Sequence, residues 1–251
     1  MSKPLKVLIN THGGLGNQIF QIFYALNLST KLDANLLLNH ISYYKHKLPL
    51  EVPITKLDIG KPSNFDLILM HGRIGKIMEK TKFSPGNIKL LNKIFLDGYF
   101  QDSVNYRCFE TQSLNDCLEK LRITFKISPC FVGCDLLHIR LGDFFKTEQE
   151  KLEQAKKSLS KACNGQHIIT NDENIILLPE NKSIIQKKNL KLIKTSNLSG
   201  YQLLKLFSTY RKITSNGSTL ALWAALFSGA KLEIHNENLQ NFYDFIITLN
   251  P

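Results

Sequence analysis

The chain has 251 residues, 43% of them hydrophobic and 21% charged, which fits a globular protein of one large domain or two modest ones. No run of 18 apolar residues excludes a membrane-spanning helix, and the apolar run of "MSKPLKVLIN" is too short for a signal peptide, so a cytoplasmic location is expected. The net charge of +11 predicts anionic company: nucleic acid, a nucleotide, or an anionic membrane face.

In chain order, "LKVLIN" reads as a buried strand and "GNQIFQIFYALNLSTKL" as a helix with apolar Ile19, Phe20, Ile22, Phe23, Ala25 and Leu26. "ANLLLN" from Ala34 is a second strand, completing a strand–helix–strand unit that requires a parallel sheet. Residues 40–64, with Pro49, Pro53 and Pro62, read as an irregular connection. "FDLILM" and "NKIFLDGYF" are further strand candidates, and "SLNDCLEKLRITF" a helix with Ser113 as a cap.

A second series begins near residue 129. It comprises a strand over 131–139, a helix in "EQEKLEQAKKSLSKAC", and strands in "QHIITND" and "NLKLIKT". A helix in "SGYQLLKLFSTYR", a strand in "KITSN", a helix in "GSTLALWAALFSG" and a strand in "AKLEIHN" follow. The alternation predicts a doubly wound α/β fold in two halves, 1–128 and 129–251.

The five cysteines (Cys108, Cys117, Cys130, Cys134, Cys163) include "CFVGC", but no second Cys or His pair stands at ligand spacing. Buried reduced thiols are expected, and no metal site. The lysines are scattered, with clusters at "KLEQAKKSLSK" and "IIQKKNLKLIK" and no aromatic platform beside them. They read as solvated faces before they read as a nucleic-acid surface.

In an open parallel sheet, ligands bind at the carboxyl ends of strands. Four predicted strands end in polar residues that a core would reject: "THGGLGNQ", "HIRLGD", "TND" and "SNGST". In "HIRLGD" the alternation puts His138 and Arg140 on one face, where the guanidinium can fork two phosphate oxygens. An Arg140–Asp143 ion pair closing the turn is the equal alternative. In "SNGST", the small polar residues Ser215 to Thr219 precede a helix whose start can hold an anion with their hydroxyls, or Ser215, Asn216 or Ser218 simply caps it. Trp223 is expected to pack that helix onto the sheet. "GGLGNQ" lacks the Lys-Ser/Thr of a P-loop and has Gly-Gly-x-Gly in place of the dinucleotide fingerprint.

Taken in order, "GGLGNQIFQ", "GYFQ", "HIRLGD", "ITND" and "STLALWAALF" resemble the α-1,2-fucosyltransferases of glycan synthesis over about residues 5–235. The resemblance implies a GT-B architecture of two Rossmann-like domains facing across a cleft. Residues 1–128 would take the acceptor side and 129–251 would hold GDP-fucose. It implies an inverting transfer of L-fucose to the 2-hydroxyl of a galactoside, with no divalent metal and no cofactor.

Arg140 would bind the β-phosphate, and Ser218 and Thr219 would form a second phosphate grip beside Ser215. His138 and Asp172 would lie near the nucleotide. The glycine turn with Gly14 and Gly16 would face them from the N-terminal domain, with Asn17 and Gln18 lining the cleft, all four binding the donor. Asp143 and His12 are the candidate bases. Many relatives carry a second arginine where this chain has Leu141, and a phenylalanine and a tryptophan at Leu220 and Leu222. A related donor such as GDP-colitose is therefore an alternative to GDP-fucose. The acceptor is expected to be a glycan, lipid-linked in surface-polysaccharide or O-antigen synthesis, with the lysines holding the enzyme loosely at the inner membrane face. A non-catalytic module binding a nucleotide or nucleic acid is the competing reading.

Overall fold

The structure, a computed structural model, describes residues 4–40, 48–71 (backbone only at 70 and 71), 92–128, 130–142 and 145–249. Two compact units are present, Met1–Lys126 with Leu249–Pro251, and Ile127–Thr248.

In the first unit, β1 (Lys6–Thr11) runs into helix α1 (Leu15–Lys31), which returns to β2 (Asn35–His40). β3 (Lys93–Leu96) pairs on the other side of β1, so the parallel order is β2-β1-β3. α1 is buried almost all round, from Leu15 to Ser29, with polar Gln18, Gln21 and Asn27 enclosed among its apolar residues.

"FDLILM" is not a strand. It lies in α2 (Asn64–His71), and its start explains the difference. The Ser63 backbone N–H and hydroxyl donate to Asp66 Oδ2 at 3.0 and 2.7 Å, while the Asp66 N–H donates back to Ser63 Oγ at 3.2 Å. That reciprocal cap commits a short apolar run to helix. Helix α3 (Thr111–Phe125) starts ahead of Ser113, with Glu110 at its N-cap. Ser113 is no cap; its hydroxyl donates to Asn27 of α1 at 3.0 Å.

The second unit holds β4 (Leu136–Ile139), α4 (Glu148–Lys161), β5 (His167–Thr170), α5 (Glu173–Ile176), α6 (Pro179–Lys187) and β6 (Lys191–Leu192). It continues through α7 (Gly200–Phe207), β7 (Lys212–Ser215), α8 (Thr219–Ser228), β8 (Lys231–Ile234) and α9 (Glu237–Thr248). The strand order β6-β5-β4-β7-β8 is all parallel and reverses direction of growth between β4 and β7. That reversal is the topological switch point of a doubly wound sheet.

The strand expected over 131–139 is shorter. Gly133 and Cys134 bend the chain, leaving Val132 in an isolated bridge to Tyr210. β6 has two residues because it is an edge strand, paired only to β5. One sheet face packs Leu137, Ile139 and Ile168 against Ala155 and Leu159 of α4. Trp223 is fully buried in α8, its ring 5.5 Å from Phe227 and 5.9 Å from Phe242 of α9. Contrary to the expectation of buried thiols, Cys108, Cys130 and Cys163 are exposed and Cys117 alone is fully buried. Among the described residues no helix is long and apolar enough to cross a membrane.

Candidate functional site

The switch point gathers most of the predicted residues of the second unit. His138 is in β4 and pairs across the ladder with Ser215, the last residue of β7. Its Nδ1 lies 3.2 Å from Ser215 Oγ and its ring stands 4.9 Å from Phe207. Burial, with the Arg140 charge adding to it, pushes the imidazole pKa down to about 3. His138 is therefore neutral and suited to hydrogen bonding, not to carrying charge.

Arg140 follows β4 directly and is half-buried. The chain there has left the ladder, yet its peptide groups are not loose. The Arg140 N–H donates to Asn216 Oδ1 at 2.7 Å, and Asn216 Nδ2 donates to the Arg140 carbonyl at 2.8 Å. On the other flank, Asn171 Oδ1 accepts from the Leu141 N–H at 2.8 Å and the Gly142 N–H at 3.4 Å. A Cβ on Gly142 would collide with Asn171 Nδ2, so this turn needs glycine for close approach. Leu141 is fully buried in the core.

A cavity of about 520 Å³ opens beside these residues, lined by His138, Thr170, Asp172, Thr195, Phe207 and Leu220 among others. Asp172 accepts from the Ile175 N–H as the cap of α5 and pairs with Lys151 at 3.0 Å. Ser218 caps α8 through the Ala221 N–H at 3.3 Å, and Thr219 begins that helix, buried. Ser215 is fully buried, its Oγ 3.2 Å from His138 Nδ1 and accepting from the Gly217 N–H at 3.4 Å.

In the first unit, the carboxyl end of β1 carries His12, Gly13 and Gly14. Gly13 has φ +78°, and Gly14 is the N-cap of α1 with no side chain to satisfy the first turn. Gly16 is buried in that turn. Asn17 Oδ1 accepts from Gln101 at 3.0 Å.

Gln18 is fully buried, donates to the carbonyls of Gly13 and Pro49 at 2.8 and 2.9 Å, and accepts from the Glu51 N–H at 3.0 Å. Its whole amide is spent on bracing backbone. His12 is 3% exposed, its Nε2 3.4 Å from Asp97 Oδ1, with Tyr99 edge-on at 4.8 Å. Asp97 itself is about a quarter exposed. The remaining candidate base, Asp143, lies outside the described residues.

The sequence reading assigns no site role to Asp97, Tyr99 or Asn171, and takes Asn216 only as a candidate cap. Asn171 and Asn216 stood inside the quoted "TND" and "SNGST", each one residue past a strand, and that position was the available signal.

No family model and no curated protein matches the chain. Among solved structures, it is similar to NodZ, an alpha-1,6-fucosyltransferase, soaked with GDP-fucose. The identity is 12% and the TM-score 0.52, over 94% of this chain and 97% of that one. The structure of fucosyltransferase NodZ from Bradyrhizobium gives 11% identity and a TM-score of 0.50, over 90% and 94% of the two chains. At such identities the likeness is one of fold: an α/β chain with the parallel, Rossmann-like sheets of the GT-B class.

Proposed function

We propose that the chain is a GDP-sugar glycosyltransferase, an inverting, metal-independent enzyme that moves L-fucose from GDP-fucose to the 2-hydroxyl of a galactoside. The observation that carries this reading is Arg140, its backbone anchored at the β4–β7 switch point two residues past His138, which lines a cavity of about 520 Å³. The fold shared with NodZ, which was soaked with GDP-fucose, supports the choice of donor.

As the bond between fucose C1 and the β-phosphate oxygen breaks, negative charge grows on the departing diphosphate. A guanidinium fixed there stabilises the transition state more than the bound substrate. The start of α8, with Ser218 and Thr219, adds donors for the same charge. Neutral His138 and Asp172 take the nucleoside side of the cavity. The acceptor hydroxyl attacks C1 from the opposite face and gives up its proton to a base, for which His12 and Asp143 are the candidates; residues 1–128 are proposed as the acceptor side. Surface-polysaccharide synthesis, with the scattered lysines against an anionic membrane, is the setting this chemistry suits.

The test is release of GDP from GDP-fucose with a panel of galactosides in EDTA. Arg140→Ala is expected to lower turnover by about a hundredfold or more, as loss of an electrostatic donor does. Unchanged turnover in a folded Arg140→Ala variant would overturn the assignment.

A further inference from the structure

Beyond the ends of their ladders, both strands flanking β4 continue with asparagine. The last β4–β5 pair is Ile139 with Thr170, followed by Asn171; the last β4–β7 pair is His138 with Ser215, followed by Asn216. Each side chain then does what the next peptide group of a strand would have done. Asn216 both accepts from and donates to the Arg140 backbone, at 2.7 and 2.8 Å, and so replaces one full rung of a sheet. Asn171 accepts from the two following N–H groups, at 2.8 and 3.4 Å.

We propose that Asn216 and Asn171 are positioning residues that hold the Arg140–Gly142 backbone from both sides and thereby fix where the Arg140 guanidinium meets the donor's β-phosphate. The proposal rests on the phosphate role given to Arg140 above.

The physical reason is that a long side chain inherits every rotation of its own Cα. Strand ends fray where the ladder stops, and a displacement of about 1 Å at a charged group can cost on the order of a hundredfold in rate. Two carboxamides from adjacent strands remove that freedom without extending the sheet into the space a ligand needs. Only asparagine at position 216 supplies both roles; aspartate could accept from the N–H but would face the carbonyl oxygen with a second acceptor. The close packing of Gly142 on Asn171 completes the arrangement, since any Cβ there would push the amide out of place.

The two nucleotides GDP and GMP separate this role from general support of the fold, because only GDP carries the β-phosphate. Affinities for both are measured by titration calorimetry on the full chain, with Arg140→Ala, Asn216→Ala, Asn216→Asp and Asn171→Ala. The wild type is expected to prefer GDP by about tenfold or more, the order of two desolvated charge-assisted bonds partly offset by water. Arg140→Ala should abolish most of that preference. Asn216→Ala and Asn216→Asp should reduce it at least about threefold while GMP affinity stays within about twofold, and Asn171→Ala should act in the same direction. In an Arg140→Ala background, adding Asn216→Ala should change the ratio no further, the non-additivity expected of groups acting through one another.

If Arg140→Ala lowers the GDP preference and Asn216→Ala leaves it intact, or lowers GDP and GMP binding equally, the positioning role is overturned and the phosphate role of Arg140 stands. If Arg140→Ala itself leaves the ratio unchanged, or the wild type binds neither nucleotide, the phosphate role fails and takes the positioning role with it.

Discussion

His12 and Asp97 meet after the ends of β1 and β3, and they differ in burial. The imidazole is enclosed, with Nε2 turned to a carboxylate oxygen, while the carboxylate keeps about a quarter of its surface in contact with solvent. With His12 proposed as the base and Asp97 beside it, Asp97→Asn is expected to lower kcat by about a hundredfold or more with GDP affinity unchanged. His12→Gln should act in the same direction. An unaltered kcat in both variants would place the proton acceptor elsewhere. Asp97 was hidden in the sequence because "KIFLDGYF" reads as one long apolar run. The strand in fact stops at Leu96, and Gly98 at φ +145° turns the chain so that Asp97 caps the strand end. The asparagine clamps left only their position, one residue past a strand, as a signal. Their partners lie 30 and 76 residues away and are backbone groups, which leave no periodic trace.

Among the elements, α8 shows how one residue can serve two uses that stability and binding can separate. Ser218 caps the helix through the Ala221 N–H, and its hydroxyl remains a donor that could face an anion. Ser218→Ala should cost about 1 kcal/mol in urea unfolding, whereas Ser218→Gly should cost only a few tenths, because glycine solvates the open N–H groups. Both variants lose the hydroxyl. Equal falls in GDP affinity would mark a phosphate grip; affinity that tracks stability would mark a cap alone. The start of α8 was readable because cap, helix and buried apolar run agree within a dozen residues. So were β1, α1, β5, β7 and β8. α2 was misread because an apolar run of six residues suits either state, and the deciding contact is the Ser63–Asp66 reciprocal cap just outside it. β6 was overread for the opposite reason: "NLKLIKT" has strand composition, but an edge position needs few paired residues.

Each unit has its own buried ionisable group, and the two groups answer acid at different pH. In the second unit, the His138 pKa of about 3 lies below the ordinary value of about 6.5. Between those limits the unfolded chain binds a proton that the folded unit refuses. Stability therefore falls as pH falls from about 6.5 toward 3, by up to about 1.4 kcal/mol per pH unit from this group. In the first unit, burial alone would raise the Asp66 carboxyl. Hydrogen bonds from Lys93 and Ser63 and the charge of Lys6 override it and hold the pKa well below the carboxylate range. Its contribution is complete above about pH 4 and is lost only as pH falls further.

Trp223, the single tryptophan, is buried in the second unit, so its fluorescence follows that unit. Urea midpoints read by fluorescence should fall steadily from pH 6.5 to 4 in the wild type, and His138→Asn should make that fall shallower. Asp66→Asn should instead lower the remaining, circular-dichroism transition by about 3 kcal/mol at pH 7, because it leaves buried Lys93 without its counter-charge. That deficit should shrink below pH 4, where the unfolded wild-type chain takes up a proton that the folded carboxylate refuses. A fluorescence midpoint that stays flat from pH 6.5 to 4, or that falls as steeply in His138→Asn, would show that the histidine at the switch point is not what makes the second unit acid-sensitive.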